Sequence, residues 1–416
     1  MLSSYRDILS IPGAWRFSLA GLIARFPMSI VGISQILMIR TLYGEYALAG
    51  QVSAANVIAY ALCAPTLGRL VDRHGQSRVM TPAITVAALG MLGVIVAAIL
   101  HAPPVWLYVF TVISGATSGS LGSMVRSRWS QVVTTPAQLH TAFSMESTLD
   151  EFVYMVGPVI ATTVTTSVHP VAGLILAITF IVTGGYWFLA QKDTEPPASG
   201  RLSSADNSTG HSSRHQGSLM RLPVMVALAV VYILAGAMFG GIDMSVVAFT
   251  AEHSQPATSG VVLGIFAGGS MVAGLLYGTR TWRFALWKLF IAGVILLAFG
   301  ATAIAFASTI VGMSIVVFIT GFTISPTMIN VNTMVQHAVP QMRLTEGLTQ
   351  MSTAMAIGVS LGSAVTGRIA DHAGSRGGFG IVIAFAWMMV VVTVIAIPVL
   401  RKTSEHSVHI DFESRD

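Results

Sequence analysis

Long apolar segments alternate with short polar ones along the whole chain. Each apolar segment has about 20 residues or more, the length that an α-helix needs to cross the hydrocarbon core of a bilayer. None shows the period-two alternation that the strands of a membrane barrel require, so the pattern predicts helices. The predicted spans are 16–39, 46–67, 79–100, 104–125, 142–165, 168–190, 222–249, 257–279, 285–306, 309–335, 345–370 and 379–400.

Composition indicates that lipid is the solvent of this fold. Hydrophobic residues make up 54% of the 416 residues and charged residues only 9%, against roughly 25% charged residues in a soluble domain. One cysteine, Cys63, excludes a disulfide framework and a cysteine-based metal site. We therefore expect an all-α integral membrane protein, without metal or cofactor.

The distribution of lysine and arginine predicts the orientation. With both termini in the cytoplasm, 18 of the 22 basic residues fall on the inner side, Arg126 and Arg128 among them. The outer side has only Arg40, Arg368 and Arg376, and Arg25 lies within the first span. This bias follows the positive-inside rule. It predicts a multi-pass protein of the cell inner (cytoplasmic) membrane, and charge spread over short loops argues against a nucleic-acid partner.

The chain divides into two similar halves. Residues 191–220 are rich in Ser, Gly and charge, and we expect them to form a flexible cytoplasmic linker. The linker separates an N-terminal six-helix bundle, 1–190, from a C-terminal bundle with a cytoplasmic tail, 221–416. Glu146 opens the fifth span and Glu346 opens the eleventh, at the same place in each half. Two related halves are typical of transporters built from repeats.

The loop GRLVDRHGQSRVM, residues 68–80, carries a recognisable motif. It resembles the loop signature of the major facilitator superfamily, at positions Gly68, Leu70, Asp72, Arg73, Gly75 and, one step late, Arg78. The resemblance implies twelve transmembrane helices in two pseudo-symmetric six-helix bundles, and a gating role for this loop. Physically, its aspartate can face the positive N-terminus of another helix and hold the inner side closed. The alternative is a plain positive-inside connection.

Other stretches match family patterns only in part. In the degenerate copy at 274–283, Gly278 stands where the aspartate is expected, and a third copy at 367–378 keeps Gly367, Asp371 and Gly374. We expect the third copy to be an outer latch, with a simple turn as the alternative. Gly157 and Pro158 resemble the helix-bending signature of proton-driven exporters. Thr111, however, occupies the place of the buried arginine in the fourth-span signature, which departs from that group.

Ionisable residues at membrane depth mark candidate sites. Arg25 in the first span and Asp150 in the fifth are predicted at similar depth, and the resemblance to the major facilitator superfamily implies that these two spans are neighbours. We therefore expect Arg25 to contact Asp150 or, failing that, Glu146. Burial raises the pKa of a carboxyl group and a nearby guanidinium lowers it, so such a site can exchange a proton. A permanent pair that only joins two helices is the alternative. Further candidates for coupling or for the substrate cavity are Glu151, Asp243, Asn330 and Asn332.

These features together predict a proton-coupled secondary transporter that moves a small organic molecule by alternating access, in the direction of efflux. The alternatives are an uptake symporter and a transport-inactive sensor. We expect no enzymatic activity, because the spans lack catalytic motifs, and no use of ATP, because a phosphate-binding loop is absent. The expected partners are the substrate, protons and the lipid bilayer, and the expected state is a monomer.

Overall fold

The computed structural model describes residues 2–44, 46–198, 218–255, 258–280, 282 and 284–402. Within these ranges the chain is helical and forms no strand. Eleven helical segments are long and apolar enough to cross a membrane. The remaining long helix, Pro136–Ser167, carries three acidic residues in its middle and completes a set of twelve. The predicted linker falls largely outside the described residues.

The first six spans follow the predicted order. They are Ala14–Arg25 continued by Pro27–Tyr43, Tyr46–His74, Gln76–Ile99, Pro104–Thr117 continued by Leu121–Val132, Pro136–Ser167, and Ala172–Ala190. The break in the first span falls at Phe26, because Pro27 cannot donate a backbone hydrogen bond to the preceding turn.

The second six spans repeat this arrangement. They are Pro223–Glu252, Ser259–Gly278, Leu286–Ile304, Ile310–Gly321 continued by Ile324–Ala338, and a last segment, Leu344–Ile395, which contains two spans. Gly374, with φ of 68°, separates the eleventh span from the twelfth. This left-handed conformation favours glycine, so the chain reverses there without a longer loop.

The predicted end of the fourth span is wrong, and the error changes where two arginines lie. The fourth span was expected to end at 125, but its helix continues to Val132. Arg126 and Arg128 are therefore buried inside the fold rather than exposed in an inner loop. Mean hydropathy falls after residue 121, because this part of the helix directs polar side chains toward other helices. A prediction from hydropathy alone therefore ends the span too early.

A short helix that precedes the first span was also not predicted. Leu2–Leu9 buries Tyr5 and Ile8, and the Tyr5 hydroxyl donates a 2.7 Å hydrogen bond to the carbonyl oxygen of Leu275 in the eighth span. Burial raises the pKa of Tyr5 to about 12, so the hydroxyl keeps its proton and remains a donor. The N-terminal helix thus connects the first half to the second.

Each half has its own apolar core, and the halves meet along two helix pairs. The second span packs against the eleventh, and the fifth packs against the eighth. Within the second half, the seventh and eleventh spans approach closely at small residues, because a Cβ atom at Gly236, Gly240, Gly358 or Gly362 would overlap backbone atoms of the facing helix. Such contacts are the usual packing of membrane helices.

Among the described residues, glycines on these helix pairs meet the other half at one end and not at the other. We call the end that carries the 68–80 loop the inner end. A Cβ atom at Gly68 would lie 3.2 Å from the Cα atom of Glu346, whereas one at Gly50 would have no described atom within 4 Å. Gly278 and Gly260 in the eighth span show the same contrast. The two glycines of each pair are 18 residues apart, about five helical turns, and so share a face. The halves therefore meet at the inner end and separate at the outer end.

Candidate functional site

Arg25 lies at the centre of a buried charge cluster. Its Nη1 contacts Asp150 Oδ1 at 2.6 Å, its Nη2 contacts Glu146 Oε2 at 2.5 Å, and its Nε donates to the carbonyl oxygen of Gly21. Only 1% of the Arg25 side chain is exposed. The two carboxylates are four residues apart on the fifth span and share a face, so Arg25 reaches both predicted partners at once.

Glu146 is fully enclosed by donors from its own half. Ser18 Oγ and Trp129 Nε1 donate to Glu146 Oε1 at 2.7 Å and 2.8 Å, in addition to the contact with Arg25. Its side chain has no exposed surface. Glu146 therefore joins the first, fourth and fifth spans within the first half.

Asp150 has a second guanidinium partner that the sequence did not indicate. Arg126 Nη2 contacts Asp150 Oδ2 at 2.7 Å, and Arg126 also lies 3.4 Å from Ser147 Oγ. Asp150 is 22% exposed and Arg126 10%. The fourth span therefore does contribute an arginine, about four turns after Thr111. A sequence signal existed in the polar helical stretch 121–132, but the charge rule assigned Arg126 to a loop.

Glu151 faces the other half of the molecule. Its Oε1 accepts a 2.9 Å hydrogen bond from Ser270 Oγ of the eighth span. Ser270 is in turn 2.9 Å from Ser325 Oγ in the tenth span. In the described part of the chain, Glu151 has neither an ion pair nor a second hydrogen bond. It is thus a carboxylate on the boundary between the halves with one neutral donor.

The remaining cavity candidates are not brought into this cluster. Asp243 in the seventh span is partly exposed and has no hydrogen bond to any other described residue. Asn330 Oδ1 accepts a 2.9 Å hydrogen bond from the Tyr277 hydroxyl, and Asn332 is partly exposed. Asn330 therefore joins the tenth span to the eighth.

The 68–80 loop binds the start of the eleventh span. Asp72 Oδ2 accepts a 2.7 Å hydrogen bond from the backbone N–H of Glu346, in the first turn of that helix. Arg69 and Arg343 donate to the two oxygens of the Glu346 carboxylate, at 3.1 Å and 2.8 Å for the closest atoms. The Asp72 and Arg69 contacts connect the two halves at the inner end, and the Arg343 contact lies within the second half. Leu70, Arg73 and Arg78 are exposed.

The same loop is also anchored to its own half. Gly75 has φ of 98°, and two residues later Ser77 donates from its backbone N–H and its hydroxyl to the Glu195 carboxylate. The repeats are thus used differently, since Glu346 joins the two halves and its counterpart Glu146 is buried within one.

The predicted outer latch makes its described contacts within one half. Ser375, directly after Gly374, donates from its backbone N–H at 2.6 Å and from its hydroxyl at 2.5 Å to the Glu252 carboxylate. Glu252 ends the seventh span, which belongs to the same half. A Cβ atom at Gly367 would first meet Met244 at 4.0 Å. The side chain of Asp371 lies outside what the structure describes. The described contacts form a turn inside the second half and do not cross to the first.

Gly157 permits a close approach of the first and fifth spans. A Cβ atom there would overlap Ser29 Oγ, and Pro158 follows within the same helix. Just inward of this crossing lie Arg25, Glu146 and Asp150. Gly157 and Pro158 therefore set the distance between the two helices that carry the charge cluster.

Two six-helix halves that meet at one end, with charged groups buried within and between them, define a secondary transporter of the alternating-access type. The profile of the Major Facilitator Superfamily matches residues 17–343 and 228–412, and the chain belongs to this superfamily. It is a transporter and not an enzyme. A search of curated proteins gives no significant match.

Solved transporter structures share the fold. The human organic anion transporter MFSD10 (TETRAN) is 13% identical, with a TM-score of 0.68 over 93% of this chain and 99% of that one. A bacterial homologue of the iron transporter ferroportin, in an outward-facing state, is 15% identical, with a TM-score of 0.69 over 92% and 98%. The same homologue with soaked iron is 13% identical, with a TM-score of 0.65 over the same shares of the two chains. At these identities the likeness concerns the fold.

Proposed function

We propose that this protein is a proton-coupled transporter that exports a small organic molecule, with Glu151 as the group that exchanges the proton. The single observation that carries the proposal is the hydrogen bond from Ser270 to Glu151, because donor and acceptor belong to different halves. A rocking motion that opens the inner end separates the fifth span from the eighth and removes this donor. The affinity of Glu151 for a proton then depends on which end is open.

The other carboxylates of the cluster suit this role less well. Two guanidinium groups compensate Asp150, and Arg25, Ser18 and Trp129 surround Glu146. An uncompensated carboxylate at membrane depth is costly, and a proton or a cationic ligand removes that cost. Glu151 is the member of the cluster with only a neutral donor. The Arg25 network then holds the first, fourth and fifth spans together beside it.

The 68–80 loop is proposed to be the inner gate. Asp72 interacts with the positive end of the eleventh helix, where four backbone N–H groups lack partners within the helix. The Arg69–Glu346 contact adds a charged interaction across the same boundary. Both contacts must break when the inner end opens, so they stabilise the state that the structure shows.

Export is supported by Gly157 and Pro158, which resemble the signature of proton-driven exporters. The names of the similar structures mention two different cargos, an organic anion for one protein and iron for the other. The shared fold therefore does not select a substrate.

A flux assay with purified protein in liposomes tests the proposal. A pH-sensitive dye inside the vesicles reports proton movement while sugars, amino acids, drugs and lipophilic cations are added in turn. We expect proton flux opposite in direction to the substrate. Glu151→Gln should abolish this flux while exchange of labelled substrate across the membrane continues.

The matched control is Glu252→Gln, since Glu252 also accepts a hydrogen bond from a serine but lies within one half. It should retain coupling. Proton flux that survives Glu151→Gln would exclude Glu151 as the carrier. Flux in the direction of the substrate would indicate an uptake symporter, and no flux with any compound would favour the sensor.

A further inference from the structure

The end of the eighth span carries the degenerate copy of the loop motif, and its backbone makes polar contacts with the first half. The Tyr5 hydroxyl donates to the carbonyl oxygen of Leu275 at 2.7 Å. The Thr141 hydroxyl of the fifth span donates to the carbonyl oxygen of Gly278 at 2.9 Å. Leu275 and Gly278 are the first and the last of the four final residues of this helix. Carbonyl groups at those four positions have no partner within a helix, so hydroxyl donors of the first half supply them.

The first copy of the motif connects the halves with the opposite direction of hydrogen bonding. There the side chain of Asp72 accepts a hydrogen bond from the backbone N–H of Glu346. At the eighth span the backbone accepts, and side chains of the first half donate. Each contact suits the helix end that it uses, because the start of a helix carries partial positive charge and its end carries partial negative charge. The two copies thus provide separate contacts on the two helix pairs that join the halves.

Gly278 stands where the first copy has Asp72, and the structure gives a steric reason for the difference. A Cβ atom at position 278 would lie 2.7 Å from the Tyr5 hydroxyl oxygen and would overlap the Cβ atom of Ser144. An aspartate therefore does not fit while the N-terminal helix is in place. The N-terminal helix both fills the space of that aspartate and supplies a polar contact between the halves.

The N-terminal helix, Leu2–Leu9, is anchored to the first half. Ile8 is 1% exposed and belongs to the apolar core of that half. The helix packs against the fifth span, and Gly13, with φ of 83°, turns the chain into the first span. Tyr5 therefore moves with the first half, and its hydrogen bond to Leu275 must break when the inner end opens.

From these contacts we infer that the N-terminal helix is a second inner gate, with the hydroxyls of Tyr5 and Thr141 as its donors. It replaces the aspartate that the degenerate copy lacks, and it holds the fifth and eighth spans together at the inner end. Loss of either donor weakens the closed state and shifts the protein toward the state in which the inner end is open. The inference rests on the proposed function only in that the inner end opens during transport, and it does not depend on a proton at Glu151.

Cysteine labelling on the other helix pair of the purified full-length protein tests this gate. Thr349 is 1% exposed and lies against Gly68. In a Cys63→Ser background, Thr349→Cys therefore reacts with a water-soluble maleimide when the whole inner end opens, and not when the N-terminal helix alone detaches. Tyr5→Phe keeps the ring and removes the donor. We expect this change to raise the labelling rate about twofold to tenfold, the scale of one neutral hydrogen bond.

Thr141→Val tests the second donor. It should raise the rate by a smaller factor, because the Thr141 hydrogen is shared with the carbonyl oxygen of Ala137 at 3.0 Å. The matched control is Tyr43→Phe in the first span. The Tyr43 hydroxyl donates to the carbonyl oxygen of Ala102 at 2.9 Å, so this bond lies within the first half. Its loss should leave the labelling rate unchanged.

Asp72→Asn in the same background separates this inference from the proposed gating role of the 68–80 loop. Faster labelling with Asp72→Asn but an unchanged rate with Tyr5→Phe would support the loop and overturn the second gate. Faster labelling with Tyr5→Phe alone would support the second gate and refute the role of the loop. Unchanged rates with both variants would refute both gates. An equal increase for Tyr5→Phe and Tyr43→Phe would indicate a general loosening of the fold and would also overturn the inference.

Discussion

Gly278 offers the most direct test of how the inner end closes. In Gly278→Ala, the new Cβ atom would lie 2.7 Å from the Tyr5 hydroxyl oxygen and 2.8 Å from Ser144 Oγ, and closer still to the Ser144 Cβ atom. Ordinary van der Waals contact begins at 3.4 Å, so the fifth and eighth spans must move apart by about half an ångström or more. Overpacking of this kind typically costs about 1–3 kcal/mol.

This free-energy cost applies only to the state in which the inner end is closed. When the inner end opens, the fifth and eighth spans separate and the overlap disappears. The equilibrium between the two states should therefore shift toward the inner-open state by the same free energy, roughly 5-fold to 150-fold.

Cysteine labelling measures this shift. Thr349 is 1% exposed and lies against Gly68 on the other helix pair, so Thr349→Cys in a Cys63→Ser background reports inner opening without touching Gly278. Its rate of reaction with a water-soluble maleimide should rise with Gly278→Ala, up to the factor given above. Adding Ser144→Gly removes the overlaps with Ser144 and leaves only the one with the Tyr5 hydroxyl, at the far end of a flexible side chain, so it should restore most of the slow labelling.

The control is Gly268→Ala in the same helix, where a Cβ atom meets no described atom within 4 Å. It should leave the labelling rate of the Thr349→Cys protein unchanged. Equal rates for Gly278→Ala and Gly268→Ala would show that the inner contact between the fifth and eighth spans does not hold the closed state, and the steric argument would be refuted.

Three further predictions concern the charges and the topology. Asp72→Asn should leave folding intact but slow transport strongly, because it weakens one end state; an unchanged transport rate would reduce the loop to a connector. Arg25→Ala leaves the buried Glu146 without an ion pair among the described residues and should lower the free energy of unfolding by about 3–5 kcal/mol; adding Glu146→Gln should recover part of this loss, and additive losses would contradict the pairing. In intact cells, and in a Cys63→Ser background, Ala205→Cys should resist a membrane-impermeant thiol reagent and Ala373→Cys, at an exposed position, should react, whereas the reverse pattern would invert the orientation.

The amino-acid sequence was sufficient to predict the architecture. A lipid environment requires each span to be a helix of about 20 apolar residues, so local hydropathy carries the number and order of the spans. The pairing of Arg25 with the fifth span was predicted from equal depth together with the family resemblance, which implies that the first and fifth spans are neighbours. Two charges at equal depth on neighbouring helices have few other ways to be compensated. The predicted span boundaries were wrong where the chain continues as a helix but its residues become polar, as in Leu121–Val132.

Tertiary structure decided which polar group meets which. Arg126 pairs with Asp150, and Ser270 of the eighth span donates to Glu151 across the boundary between the halves. Glu146 and Glu346 are equivalent in the repeat, yet one is enclosed in its own half and the other joins the two halves. Hydropathy describes how far a residue lies from water, but a partner is selected by helix rotation, crossing and the relative position of the halves. These quantities depend on contacts between residues hundreds of positions apart, such as Gly68 with Thr349, and no local pattern records them.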